Sequence, residues 1–180
     1  MSHAFDDHII DDNRVLISGG GIAGLTLGIL LKEHGWDPLV IEREPALRTE
    51  GYMMDFFGTG WDVAERMGLI YDIRMIRYPI DFLEYVDRNG DLIFTALPID
   101  RLRHALGGKY TPLLRPDLER ILFNRAAASG VTVRFATTIQ SLNEDDSRVN
   151  VTFNDGTSDS FALFFGADGV HSRVRELIFG

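Results

Sequence analysis

A chain of 180 residues, 45% of them hydrophobic, is long enough to bury one core, or one core and part of a second. Its 27 acidic residues outnumber its 18 basic ones, for a formal charge of −9, which excludes a nucleic-acid surface because phosphate contacts need clustered Lys and Arg. The absence of Cys excludes disulfides, thiolate metal sites and a Cys nucleophile, and the five histidines (His3, His8, His34, His104, His171) show no close metal spacing, so no metal site is expected.

Residues 1–12 are polar and acidic and are expected to form a flexible N-terminus. They carry neither the basic start nor the apolar stretch of a secretory signal, and no run of 18 apolar residues occurs, so a cytoplasmic protein without a membrane span is expected. The next stretch, RVLISGGGIAGLTLGILLKEHG from Arg14 to Gly35, reads as strand, glycine turn and helix. Gly19, Gly21 and Gly24 stand at the G-x-G-x-x-G spacing. The first glycine permits the tight turn, the second lets a pyrophosphate approach the backbone, and the third lets helix and strand pack closely. The helix start offers free N–H groups and partial positive charge, so no basic side chain is needed. Glycine spacing alone also fits an ordinary strand–turn–helix. A second apolar strand, Pro38–Ile41, narrows the choice, because it ends on Glu42, an acid about 20 residues on that can accept from a ribose diol.

Arg43 to Asp55 has no clean period. Phe57–Gly68 reads as a short helix stopped by Gly68, and Leu69–Ile76 as a second. Ile80–Val86 and Leu92–Leu97 read as strands joined at Asn89-Gly90, a hairpin signal. Arg101–Tyr110, basic and glycine-bearing, reads as a loop. Asp117–Ser129 reads as a helix with Pro116 in its first turn and Gly130 as its stop. Val131–Phe135 is a strand; Ile139–Asn143, Arg148–Phe153 and Thr157–Phe161 form a three-stranded antiparallel meander with a hairpin turn at Asn154-Asp155-Gly156. Ala162–Phe165 reads as a buried strand. It leads into GADGVHSRVR, a second glycine turn with Ser172 as N-cap of a last helix.

Three motifs together resemble the class A flavoprotein monooxygenases, the family of aromatic hydroxylases that includes p-hydroxybenzoate hydroxylase and the tetracycline-inactivating monooxygenases. They are GGGIAGL with Glu42-Arg43, RPDLERIL from Arg115, and GADGVHSRVR from Gly166, spread over residues 14–175. The resemblance implies an α/β fold: a Rossmann-like FAD-binding domain with a parallel sheet, a three-stranded antiparallel meander, and part of a substrate-domain hairpin. It implies a division into residues 13–78 (first part of the FAD-binding domain), 79–112 (partial substrate-domain hairpin and loop) and 113–180 (second part).

The same resemblance implies site roles. Gly19, Gly21, Ile22, Ala23 and Gly24 wrap the FAD pyrophosphate, Glu42 holds the adenosine ribose, and Arg43 lies near the adenine. Arg48 and Asp55, seven residues apart as in the tetracycline-inactivating branch, serve the nicotinamide nucleotide and FAD; Arg115, Asp168 and Gly169 lie against FAD. A solvated surface arginine stays open for Arg48, and an ordinary capped turn for Asp168. NAD(P)H is the implied co-substrate, a small aromatic or polycyclic molecule the implied substrate, and the flavin carries the chemistry, so no catalytic residue is named. The family's further Gly-Asp-Ala motif, followed by His and Pro, does not occur here, and most of the substrate-binding sheet is missing. The expectation is therefore an FAD-binding portion that is incomplete on its own. It would self-associate or bind a complementary polypeptide supplying the missing half. A non-catalytic FAD-binding fragment, or a subunit of a split flavoprotein, is the alternative. An NAD-dependent dehydrogenase is a third, and it predicts continued βα repeats after Glu42.

Overall fold

The computed structural model describes residues 13–145 and 147–180 and divides them into two compact units. The expected N-terminal segment 1–12 lies outside the described residues. The first unit comprises the chain up to Ala46 and again from Leu122 to Gly180; the second is Leu47–Ile121. No helix among the described residues is long and apolar enough to cross a membrane.

In the first unit, β1 (Arg14–Ser18), α1 (Ile22–Glu33) and β2 (Asp37–Ile41) form the expected strand–helix–strand. Two strands from much later in the chain complete a parallel sheet: β7 (Thr132–Arg134) beside β2 and β11 (Leu163–Gly166) beside β1, in the order β11-β1-β2-β7. Val15, Leu16 and Ile17 of β1 are all fully buried, which requires cover on both faces of the sheet. One face is covered by α1, where a Cβ on Gly28 would meet Val40 and Val131 at 3.2 and 3.3 Å, so the helix lies close on the strands. The other face carries the meander of β8 (Ile139–Glu144), β9 (Val149–Phe153) and β10 (Ser158–Phe161), in the order β10-β9-β8. There Leu16 and Ile41 join Ile139, Val151, Phe153 and Phe161 in one core, as the period-two alternation of a strand demands. The Arg14 guanidinium fastens the meander with two 2.6 Å bonds to the Asp159 carboxylate, while lying 4.8 Å from the centre of the Phe161 ring. This is the α/β architecture expected, meander included.

β11 corrects one expectation. It runs Leu163–Gly166 rather than Ala162–Phe165 and is not buried: Leu163 and Phe165 are 39% and 37% exposed. It is the edge strand of its sheet, so only Phe164 packs into the core.

The second unit contains β3 (Met53–Phe57), α2 (Thr59–Arg66), α3 (Ile70–Met75), β4 (Phe82–Val86), β5 (Leu92–Pro98), α4 (Ile99–Ala105) and β6 (Tyr110–Leu114). α5 (Arg115–Ala128) starts here, and the division between the units falls within it. β3 pairs antiparallel with β6, and β4 with β5. The chain after Glu42 thus gives antiparallel pairs and not continued βα repeats, against the dehydrogenase alternative. Trp61, Ile73, Ile99 and Leu113 are fully buried and form this unit's core. The hairpin turns at Asn89-Gly90 as expected, with Gly90 at φ +88° and the Asp87 carboxylate accepting from Asn89 and Asp91 N–H. Six of its apolar side chains are exposed: Phe82, Tyr85, Val86, Leu92, Ile93 and Phe94 are each 52–62% accessible.

Two boundaries shift for local reasons. The stretch read as a loop, Arg101–Tyr110, contains the end of α4, because Gly107 and Gly108, at φ +61° and +79°, follow the helix and end it rather than dissolve it. The helix read from Phe57 starts at Thr59, because Phe56 and Phe57 are still paired to β6 and Gly58, at φ +62°, makes the turn.

Candidate cofactor-binding site

The parallel sheet creates a crevice where its strand order reverses. α1 carries the chain from β1 to β2 on one side, whereas β11 pairs with β1 on the other, and open α/β sheets bind ligands at the carboxyl ends of such strands. Both glycine turns lie there. Gly19 N–H donates to Ile41 O at 2.8 Å, and Ala167 N–H to Ser18 O at 2.7 Å.

The first turn is as tight as its glycines permit. Gly19 has φ +119°, and a Cβ there would stand 2.4 Å from Ala167 O and 2.8 Å from Asp168 N. The two motifs, far apart in sequence, therefore touch backbone to backbone. A Cβ on Gly24 would come within 1.8 Å of Gly19 O. The missing side chain at Gly24 thus lets the helix start lie directly on the turn. α1 begins after Gly21, and its first intrahelical bond is Leu25 N–H to Gly21 O. The N–H groups of Ile22, Ala23 and Gly24 precede that bond and have no partner within the helix, no side chain caps them, and the first turn holds no acid. A diphosphate fits such a helix end.

Glu42 follows β2 directly, and its carboxylate is held at both oxygens. Gly20 N–H donates to Oε2 at 2.8 Å and Glu44 N–H to Oε1 at 3.0 Å. Each carboxylate oxygen has a second lone pair, so the group can still accept from a diol. Gly20 is a residue that the spacing argument passes over. A Cβ there would lie 2.9 Å from Glu42 Cβ, so the middle glycine of the GGG run makes room for the acid. The run itself was the signal, since the fingerprint explains only its first and last members. Together, the bare helix end, the close glycine packing and the oriented acid fit a dinucleotide such as FAD.

The other sequence-derived candidates stand differently. The Asp168 carboxylate turns toward the last helix, α6 (Arg173–Phe179): Ser172 Oγ donates to Oδ1 at 2.5 Å and Val174 N–H to Oδ2 at 3.1 Å. Ser172 is the N-cap, as expected, accepting from Arg175 N–H. What Asp168 offers to Gly19 is main chain, and Gly169, at φ +81°, completes that turn. The Arg43 side chain is 59% exposed, 3.5 Å from the Glu44 carboxylate.

Arg48, Asp55 and Arg115 belong to the second unit. Arg48 is exposed. Asp55, also exposed, accepts from the Tyr110 hydroxyl at 2.6 Å. Burial first, and then this bond, push the Tyr110 phenol well above its ordinary range. Arg115 pairs with the buried Glu119 carboxylate at 2.8 Å. Among the described residues no cluster of His and acids could hold a metal ion.

A family model described as an FAD binding domain matches residues 12–178. The FAD-dependent monooxygenase asL4 of Sarocladium schorii is 35% identical over 170 residues, which cover 93% of this chain and 39% of that protein. The flavin-dependent monooxygenase eupH of a Phoma species is 34% identical over 177 residues, covering 93% and 40%. Among solved structures, that of the tetracycline destructase Tet(55) superposes with a TM-score of 0.80 at 28% identity, covering 93% of this chain and 41% of that one. The chain therefore spans about two-fifths of the length of the relatives it matches.

Proposed function

This chain belongs to the FAD binding domain family, and from that membership we propose that it is the FAD-binding part of an NAD(P)H-dependent flavin monooxygenase hydroxylating an aromatic or polycyclic small molecule. The observation that carries the proposal is the convergence at the end of β1. The Gly19–Gly24 turn, the free start of α1, the Glu42 carboxylate and the Ala167–Asp168 main chain meet there. Bound FAD supplies the redox and oxygen-transfer chemistry. The chain supplies binding and orientation. Gly19, Gly21, Ile22, Ala23 and Gly24 wrap the pyrophosphate, with the N–H groups opening α1 as donors. Glu42 accepts from the adenosine ribose, and Arg43 lies near the adenine. The Asp168-Gly169 turn backs the first loop with its main chain. Arg48 serves NAD(P)H, and Asp55 and Arg115 serve FAD; these three roles rest on the family resemblance alone.

The test is titration of the purified chain with FAD, followed by flavin fluorescence. Gly21→Val puts a branched side chain where the pyrophosphate must approach and is expected to abolish binding. Glu42→Ala is expected to weaken it by about 1–3 kcal/mol, the scale of a hydrogen bond to a charged group. Binding by Gly21→Val equal to that of the parent removes the pyrophosphate from this turn.

A second reading has its own observation. The exposed apolar side chains of the β4–β5 hairpin mark an interaction surface, since soluble proteins seldom leave such groups bare together. We infer that this surface is covered by a second copy or by a complementary polypeptide. In that reading the chain is a non-catalytic FAD-binding fragment or a subunit of a split flavoprotein.

A further inference from the structure

Asp55 stands at the centre of β3, opposite Pro112 of β6. Strand residues two apart share a face, so Asp55 and Phe57 lie on the face that carries Pro112 and Tyr110. Tyr110 is 2% exposed, and its ring is tilted against that of Phe57 with centroids 6.3 Å apart. A buried phenol needs a hydrogen-bond partner, and a main-chain carbonyl would serve. Here the partner is instead the carboxylate of an exposed acid, at 2.6 Å, the short range of charge-assisted O–H···O⁻ bonds. Among the described residues, the bond occupies Oδ1 and leaves Oδ2 without a protein donor.

We propose that Tyr110 is a positioning residue: its hydroxyl fixes one oxygen of Asp55, so that the other is held out as an acceptor for a hydroxyl or N–H group of FAD. This rests on the proposed role of Asp55 toward FAD. An exposed aspartate would otherwise lose its side-chain freedom only on binding. A carboxylate already held by a rigid buried ring does not pay that cost at the moment of binding. The Tyr110 phenol, shifted upward by burial and by Asp55 itself, stays protonated and donating at neutral pH.

The experiment is FAD titration of the full chain as parent, Tyr110→Phe, Asp55→Ala and the double variant, with the urea midpoint of each chain measured without FAD. Tyr110→Phe keeps the buried ring and loses only the hydroxyl. It is expected to weaken FAD roughly 2- to 10-fold, the equivalent of ordering one side chain. Asp55→Ala is expected to weaken FAD at least as much, and the double variant no more than Asp55→Ala, because Tyr110 acts only through Asp55. Parent-like affinity in Tyr110→Phe overturns the inference, and so do losses that add in the double variant. Because Asp55→Ala leaves the buried Tyr110 hydroxyl without its acceptor, Asp55→Asn is measured beside it: its amide oxygen still accepts from Tyr110 while its second position can only donate, and parent-like affinity there overturns the inference as well. A parent chain that binds no FAD overturns the proposed function and this inference with it. Loss of binding in Gly21→Val but not in Tyr110→Phe overturns this inference alone.

Discussion

Two neighbouring glycines separate stability from ligand binding. Gly24 supports the fold: a Cβ there would meet a main-chain oxygen at 1.8 Å, and main chain cannot swing aside. Gly24→Ala should destabilise the chain by about 1–3 kcal/mol or more, read as a lower urea midpoint with or without FAD. Gly20 supports the site: its Cβ would meet Glu42 Cβ at 2.9 Å and Glu42 Oε2 at 3.3 Å, so the end of β2 must shift slightly and the carboxylate must give up its bond to Gly20 N–H. Gly20→Ala should therefore lower the urea midpoint of the apo chain less than Gly24→Ala does, while lowering FAD affinity. The opposite pattern, a large loss of stability with full affinity, would show that Glu42 needs no such seat. The fingerprint spacing made the packing glycine legible in the sequence, because its role follows from the motif. Gly20 and Tyr110 were not legible, since each acts through a partner 22 or 55 residues away, and only the folded chain brings those partners together.

At the level of elements, the meander depends on the Arg14–Asp159 pair. The Arg14 hydrogen bonds hold the Asp159 carboxyl below its ordinary range. An acid lowered in the folded state adds stability above its unfolded pKa and loses it as pH falls through the folded value. The difference in stability between the parent and Asp159→Asn should thus be largest at neutral pH and shrink below about pH 4. Urea midpoints across pH 3–7 check this, and a constant gap would remove the pair as the cause. The β4–β5 hairpin makes the contrary case, an element whose side chains gain little from the monomer. Ile93 is 62% exposed, so Ile93→Lys should change the stability of the monomer by no more than about 0.5 kcal/mol. It should reduce any self-association seen by sedimentation velocity. Both hairpin turns could be read from Asn-Gly and Asp-Gly pairs. The exposed edge position of β11 could not, because an apolar run looks the same in the middle of a sheet and at its rim.

For the whole molecule, we predict that the 180-residue chain alone, given FAD, NADPH, oxygen and a panel of phenols and tetracyclines, consumes oxygen without hydroxylated product in step. The ground is its span of about two-fifths of the relatives, together with the need to exclude water for coupled oxygen transfer. Stoichiometric product would overturn the prediction. The pairing of β1 with β11 also sets an order of events. Val15 lies beside Leu163, and Arg14 binds an acid 145 positions later. A ribosome adding about 5–20 residues per second needs roughly 7–30 s to travel between them. Throughout that interval the first strand has no neighbour on that side, and the Gly19 turn lacks the Ala167 main chain that backs it. Contacts of such long sequence separation also slow refolding in vitro. The nucleotide fingerprint is thus synthesised well before the strand that completes its site, and a nascent chain arrested before Leu163 should emerge unable to retain its cofactor.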